Sequence, residues 1–153
     1  MKYLLMLLVI LPLNALAQTT HTYLLGKYKL KGTTYTQVVF FEEKEVQGKD
    51  NCEKERIYGR GGSWRYYNHM VNRTRGFSAN VNYFCIETAI NFGVWNDYAE
   101  YEHIYLIDIR TNNPVVTETN TYSNCLREMR KEQAKENHNY FCARSNQKIL
   151  SQN

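Results

Sequence analysis

A chain of 153 residues with 19 Lys and Arg against 15 Asp and Glu carries a formal charge of +4. That excess is too mild to commit it to a polyanionic partner. Aromatics at 14%, with 13 Tyr, favour strands and equally favour wet binding surfaces, so composition does not separate architecture from function.

Residues 1–17 read as a secretory signal peptide. Lys2 is its positive start, and Tyr3 to Leu11 is its apolar run. Ala15-Leu16-Ala17 offers small residues for cleavage before Gln18. The competing reading, a membrane anchor, needs about 20 apolar residues, and this run is shorter. Nothing after it reads as a membrane span. Export places all 4 Cys in an oxidising compartment, where paired cysteines are structural disulfides. No C-x-x-C spacing marks a redox pair. The expected location is periplasmic or secreted, and residues 18–153 are the length of one domain.

His21 to Lys31 holds Tyr23, Leu25, Tyr28 and Leu30 in a strand-like pattern with a slip near Gly26. Lys31-Gly32-Thr33-Thr34 signals a turn, and Tyr35 to Glu42 is the return strand. Gly48 to Asn51 breaks that pattern, and Cys52 to Tyr58 reads as the first turns of a helix. Ala79 to Thr88 is a third strand. Beyond a linker, His103 to Arg110 is a strand, Thr111 to Pro114 a turn and Val115 to Glu118 the return strand. Thr121 or Ser123 caps a helix running to about Glu136, with a thin apolar seam of Cys125, Leu126 and Met129. Tyr140-Phe141-Cys142 is a short last strand.

Asn-Tyr-Phe-Cys occurs at 82–85 and again at 139–142. Before the first stand Tyr23-Leu24, Val38-Val39 and Asn51-Cys52. Before the second stand Tyr105-Leu106, Val115-Val116 and Asn124-Cys125, in the same order. Matched order at changed spacing is the mark of diverged repeats. The expected fold class is therefore α+β, an internal duplication of β-β-α-β units at about 20–90 and 101–145. The units form one antiparallel sheet with the helices packed on one face. The other face is left open to carry Tyr side chains towards solvent or a partner.

The repeat also selects a disulfide pairing. A strand following a helix through a short loop returns antiparallel to it, so its far end comes level with the helix start. The predicted bridges are Cys52–Cys85 and Cys125–Cys142, one of 3 pairings that four cysteines allow.

The units differ most between helix and third strand, where the first carries an insert from Gly59 to Phe77. No acid lies between Arg56 and Ile86, while Arg60, Arg65, Arg73 and Arg75 fall inside. Ser63 can cap a short helix whose Trp64, Tyr67 and Val71 share a face. Arginine among aromatics binds phosphates, carboxylates or sugar faces. The candidate binding residues are Trp64, Arg65, Tyr66, Tyr67, His69 and Arg73. The plainer reading packs Trp64 on the core with solvated arginines outside. Asn72-Arg73-Thr74 fits a glycosylation sequon by pattern.

Asn96 to His103, joining the units, has the opposite sign. In an extended segment Glu100 and Glu102 share a face, positioned to pair with the arginines or to bind a cation. Their spacing matches no metal site. No catalytic fingerprint is present, and no catalytic residue, metal or cofactor is assigned. The function expected is that of an exported, non-enzymatic accessory or binding protein of the cell envelope. Its partner would be an envelope protein or a polyanionic or glycan ligand. A homodimer through a free sheet edge is a further possibility. The alternative is a small secreted phosphodiesterase or ribonuclease using His69 and His138, with His103 as a substitute.

Overall fold

A computed structural model describes residues 19–29, 33–61, 66, 81–96, 99–109, 114–135 and 139–152. Residues 1–17, expected to be a signal peptide, and most of the insert lie outside these residues. The strands are β1 (His21–Lys29), β2 (Thr36–Phe41), β3 (Asn82–Thr88), β4 (Ile90–Phe92), β5 (His103–Asp108), β6 (Val115–Thr119), β7 (Tyr140–Ser145) and β8 (Ile149–Gln152). Two helices are described, α1 (Lys49–Gly61) after β2 and α2 (Tyr122–Lys135) after β6. No helix among the described residues is long and apolar enough to cross a membrane.

Six strands form one curled sheet in the order β3-β1-β2-β7-β5-β6, and β4 pairs with β8 in a separate ribbon. Each half follows the order strand, strand, helix, strand, and in each the third strand pairs antiparallel with the first. The sheet is not wholly antiparallel as expected. Where the halves meet, β2 and β7 run parallel, paired through Gln37 and Arg144. The cause is the strand order: each half offers its inner strand, and those two point the same way. The second Tyr-Phe-Cys strand therefore lies inside the sheet, and it is not the last in the chain because β8 follows it.

Register explains the staples. Leu24 pairs with Cys85 and Leu106 with Cys142, so each third-strand cysteine lies beside the same position of its first strand. Gly48 adopts φ 81°, a conformation that glycine takes without strain, and starts α1 there. Its N–H donates to Thr22 Oγ1 at 3.2 Å and its carbonyl accepts from Cys52 N–H at 3.0 Å. Thr121 does the same for α2: its carbonyl accepts from Cys125 N–H at 3.0 Å, and its Oγ1 caps Asn124 N–H at 3.1 Å. Each helix cysteine thus falls on the first turns, and its Sγ rests on a β-strand carbonyl, Tyr23 at 3.6 Å and Tyr105 at 3.4 Å. The bridges Cys52–Cys85 and Cys125–Cys142 form with Cα separations of 5.8 and 5.9 Å.

Both helices cover the same face. Leu24, Val39, Phe41 and Tyr83 pack with Cys52 under α1; Leu106, Leu126 and Met129 pack with Cys125 and Cys142 under α2. The opposite face, expected to be open, is the main core. The sheet curls over it, so Ile86 of one edge strand and Val116 of the other join Tyr23, Leu25, Phe40, Tyr105, Ile107 and Ala143. Phe92 of β4 stacks on Phe40 at 3.8 Å between centroids, and Tyr23 and Tyr105 meet that stack edge-on. Burying one such ring contributes roughly 1.5–3 kcal/mol, which is why this face is closed.

Two finer expectations need correcting. The pairing of β1 with both neighbours runs through Gly26 without a slip. Alternation fails there because β1 is buried on both faces. The Val-Val match is one residue out of step. Opposite Leu24 stands Phe41 and opposite Leu106 stands Thr117, so Val39 corresponds to Val115, not Val116. A one-residue shift changes the face, and Val116 indeed lies in the curled core while Val39 lies under α1.

Candidate functional site

Beyond Gln37 and Arg144 the strands β2 and β7 separate. The opening is closed by one side chain, Gln147, which is 2% exposed. Its Oε1 accepts from Phe40 N–H at 2.8 Å, and its Nε2 donates to the carbonyls of Phe40 at 2.8 Å and Gly93 at 2.9 Å. The amide acts as one rung of strand pairing. Just past this rung lies a cavity of about 220 Å³, lined by Tyr23, Phe40, Phe41, Phe92, Val94, Trp95, Glu42 and Glu43 among others.

The lining is mainly aromatic and includes two carboxylates, Glu42 and Glu43. Trp95 stands edge-on to Phe41 at 5.6 Å, and its Nε1–H donates to the Tyr101 hydroxyl at 3.4 Å. That hydroxyl also accepts from Tyr28 at 2.9 Å, so the indole is fixed from below. Val94, at the lip, is 93% exposed. Glu42 accepts from His21 Nδ1 at 2.7 Å. Tyr23 accepts from Phe92 N–H at 3.1 Å. Burial pushes its hydroxyl up to about 12, Glu42 adding to the rise and the Phe92 bond opposing it.

The second half repeats part of this. His103 Nδ1 donates to Glu118 at 2.9 Å and stacks on Tyr105, as His21 stacks on Tyr23. Tyr105 donates to the Gln147 carbonyl at 2.6 Å, and burial raises its pKa even further. His21-Thr22-Tyr23 and His103-Ile104-Tyr105 carry these contacts, and their shared His-x-Tyr spacing is a signal that sequence reading missed.

Of the residues singled out in the insert, Tyr66 alone is described. It is fully buried, its ring 4.8 Å from Phe41 and 6.5 Å from Tyr83. Its ring packs under α1, on the residue that forms the cavity wall. Trp64, Arg65, Tyr67, His69 and Arg73 lie outside the described residues, as does His138. Glu100 and Glu102 are exposed with Tyr101 buried between them, and His103 bonds Glu118 instead. Among the described residues no three His, Cys, Asp or Glu converge as metal ligands.

A small cavity lined by aromatic rings and two carboxylates suits an organic cation, held by ring faces and charge together. Its volume fits one long side chain. No known protein family, curated protein or solved structure matches this chain.

Proposed function

We propose that this chain is an exported, non-enzymatic accessory protein of the cell envelope, periplasmic or secreted, that binds a partner at the β2 cavity. The observation that carries the proposal is the cavity's composition: Phe41 and Trp95 line it together with the carboxylates Glu42 and Glu43. It points to a basic side chain of a partner protein as the group received. Tyr66 packs on Phe41, and Trp64, Arg65, Tyr67, His69 and Arg73 are kept as candidate contacts on their residue types alone. Two disulfides suit an oxidising compartment, which supports export. The two units are read as products of duplication, a view supported by the shared element order and by Leu24–Cys85 and Leu106–Cys142 in equivalent register.

The test is a titration of the oxidised mature chain with N-acetyl-lysine methylamide, followed through the Trp95 indole N–H resonance. The neutral norleucine analogue serves as control. Saturable movement with the cationic probe, weakened in Glu42→Gln, is expected. Equal movement with the neutral analogue, or none with either, overturns the assignment of a cation-binding cavity.

A further inference from the structure

A second polar cluster lies on the helix-bearing face, at the joint between the halves. Arg144 of β7 stands opposite Gln37 of β2 in the parallel pairing. The Arg144 guanidinium carbon is 4.0 Å from the centroid of the Tyr35 ring and 5.9 Å from that of Tyr122. The two rings meet edge to face at 4.8 Å, and Tyr122 is itself tied down by donating to the Cys142 carbonyl at 3.2 Å. The guanidinium is thus placed by packing. Among the described residues no carboxylate pairs with it.

Two atoms here are buried without a hydrogen-bond partner: Arg144 Nε, a donor, and Gln37 Oε1, an acceptor on a side chain only 8% exposed. Leaving such atoms unpaired is costly, and a charged donor more so. Neighbouring α2 begins at Tyr122 with no acid in its first turn, so its positive end adds to the charge of Arg144. A ligand that satisfies the site brings an anionic acceptor for the guanidinium and a donor for the amide oxygen. A planar carboxylate matches the guanidinium fork. A hydroxyl beside it supplies the donor.

We propose that Arg144, Gln37, Tyr35 and Tyr122 form a binding site for a hydroxy-carboxylate. The carboxylate is received by Arg144, and the neighbouring hydroxyl donates to Gln37. This site is separate from the β2 cavity and stands independently of that reading. Because Gln37 and Arg144 belong to different halves, occupancy also ties the halves together.

Lactate and propionate differ by the hydroxyl alone and make the direct test, with inorganic phosphate as a third probe. The oxidised mature chain is titrated while the Arg144 Nε–H resonance is followed. Melting temperature in saturating probe gives an independent readout. Lactate is expected to move the resonance saturably, raise the melting temperature and bind about tenfold more tightly than propionate. Gln37→Leu should remove that preference while leaving propionate binding in place, and Arg144→Gln should abolish both. If Arg144→Gln does not fold, the Gln37→Leu comparison decides alone. Equal affinity for lactate and propionate refutes the role of Gln37. Phosphate binding as tight as lactate refutes the carboxylate assignment. No saturable response to any probe means that trapped water satisfies both atoms, and the site is then not a ligand site.

Discussion

Replacing Gln147 by Met removes the amide while keeping an unbranched side chain of similar length. Three hydrogen bonds of 2.8 to 2.9 Å are lost. Gly93 is partly exposed, so water can take over at its carbonyl. Phe40 is 1% exposed, and both its N–H and its C=O are stranded. Each orphaned group costs about 1–3 kcal/mol. The thioether returns on the order of 1 kcal/mol through added apolar burial. The expected net loss is about 3 kcal/mol, a large share of the stability of an ordinary domain. Urea unfolding with the disulfides intact, followed by far-UV circular dichroism, measures it as a lower midpoint at unchanged slope. Gln147→Glu should be destabilised more at neutral than at mildly acid pH, since only the protonated carboxyl can donate to Phe40. A Gln147→Met protein within about 1 kcal/mol of the parent would show that Gln147 does not bridge the gap between β2 and β7.

The two disulfides should differ in worth. They span 33 and 17 residues, so by loop entropy Cys52–Cys85 contributes about 3.7 kcal/mol and Cys125–Cys142 about 3.1. Denaturant unfolding of the paired Cys→Ala variants checks this order, and a reversed order refutes it. Alkaline stability offers another test. Folding raises the Tyr23 hydroxyl from 10.0 to about 12. Between those values the unfolded chain has lost the proton and the folded one retains it, so stability is full below pH 10 and falls as pH rises towards 12. Tyr23→Phe should lose less of its stability over that interval than the parent, as read from chemical denaturation at stepped pH.

The parts of this fold written locally were legible in the sequence. Alternation, turn residues and the repeated Asn-Tyr-Phe-Cys gave both hairpins, both helices and the cysteine partners. What failed was set by distant contacts. Parallel pairing of Gln37 with Arg144 leaves no local mark, because neither residue departs from its strand's pattern. The curl of the sheet buries Tyr23 and Phe40 on the face expected to be open, and amphipathic tyrosine reads the same in either place. Ile90 to Phe92 and Ile149 to Gln152 are too short to declare themselves as strands. Gln147 looks like an ordinary polar residue in a C-terminal tail until a strand gap exists for it to fill. The insert drew attention to Tyr66 for its aromatic ring, and that ring serves the core.

Fixing each helix by its first turns has a consequence for variation. The bridge holds the helix start and the third strand together whatever the chain does between them. The crossing is long in the first half, with Cys52 and Cys85 separated by 33 residues, and short in the second, with Cys125 and Cys142 separated by 17. Doubling such a crossing costs only about 0.6 kcal/mol in closure entropy. The unit therefore works as a clasp with an interchangeable strap: the crossing after α2 can accept a grafted segment of the first insert's length, displayed beside an unchanged sheet.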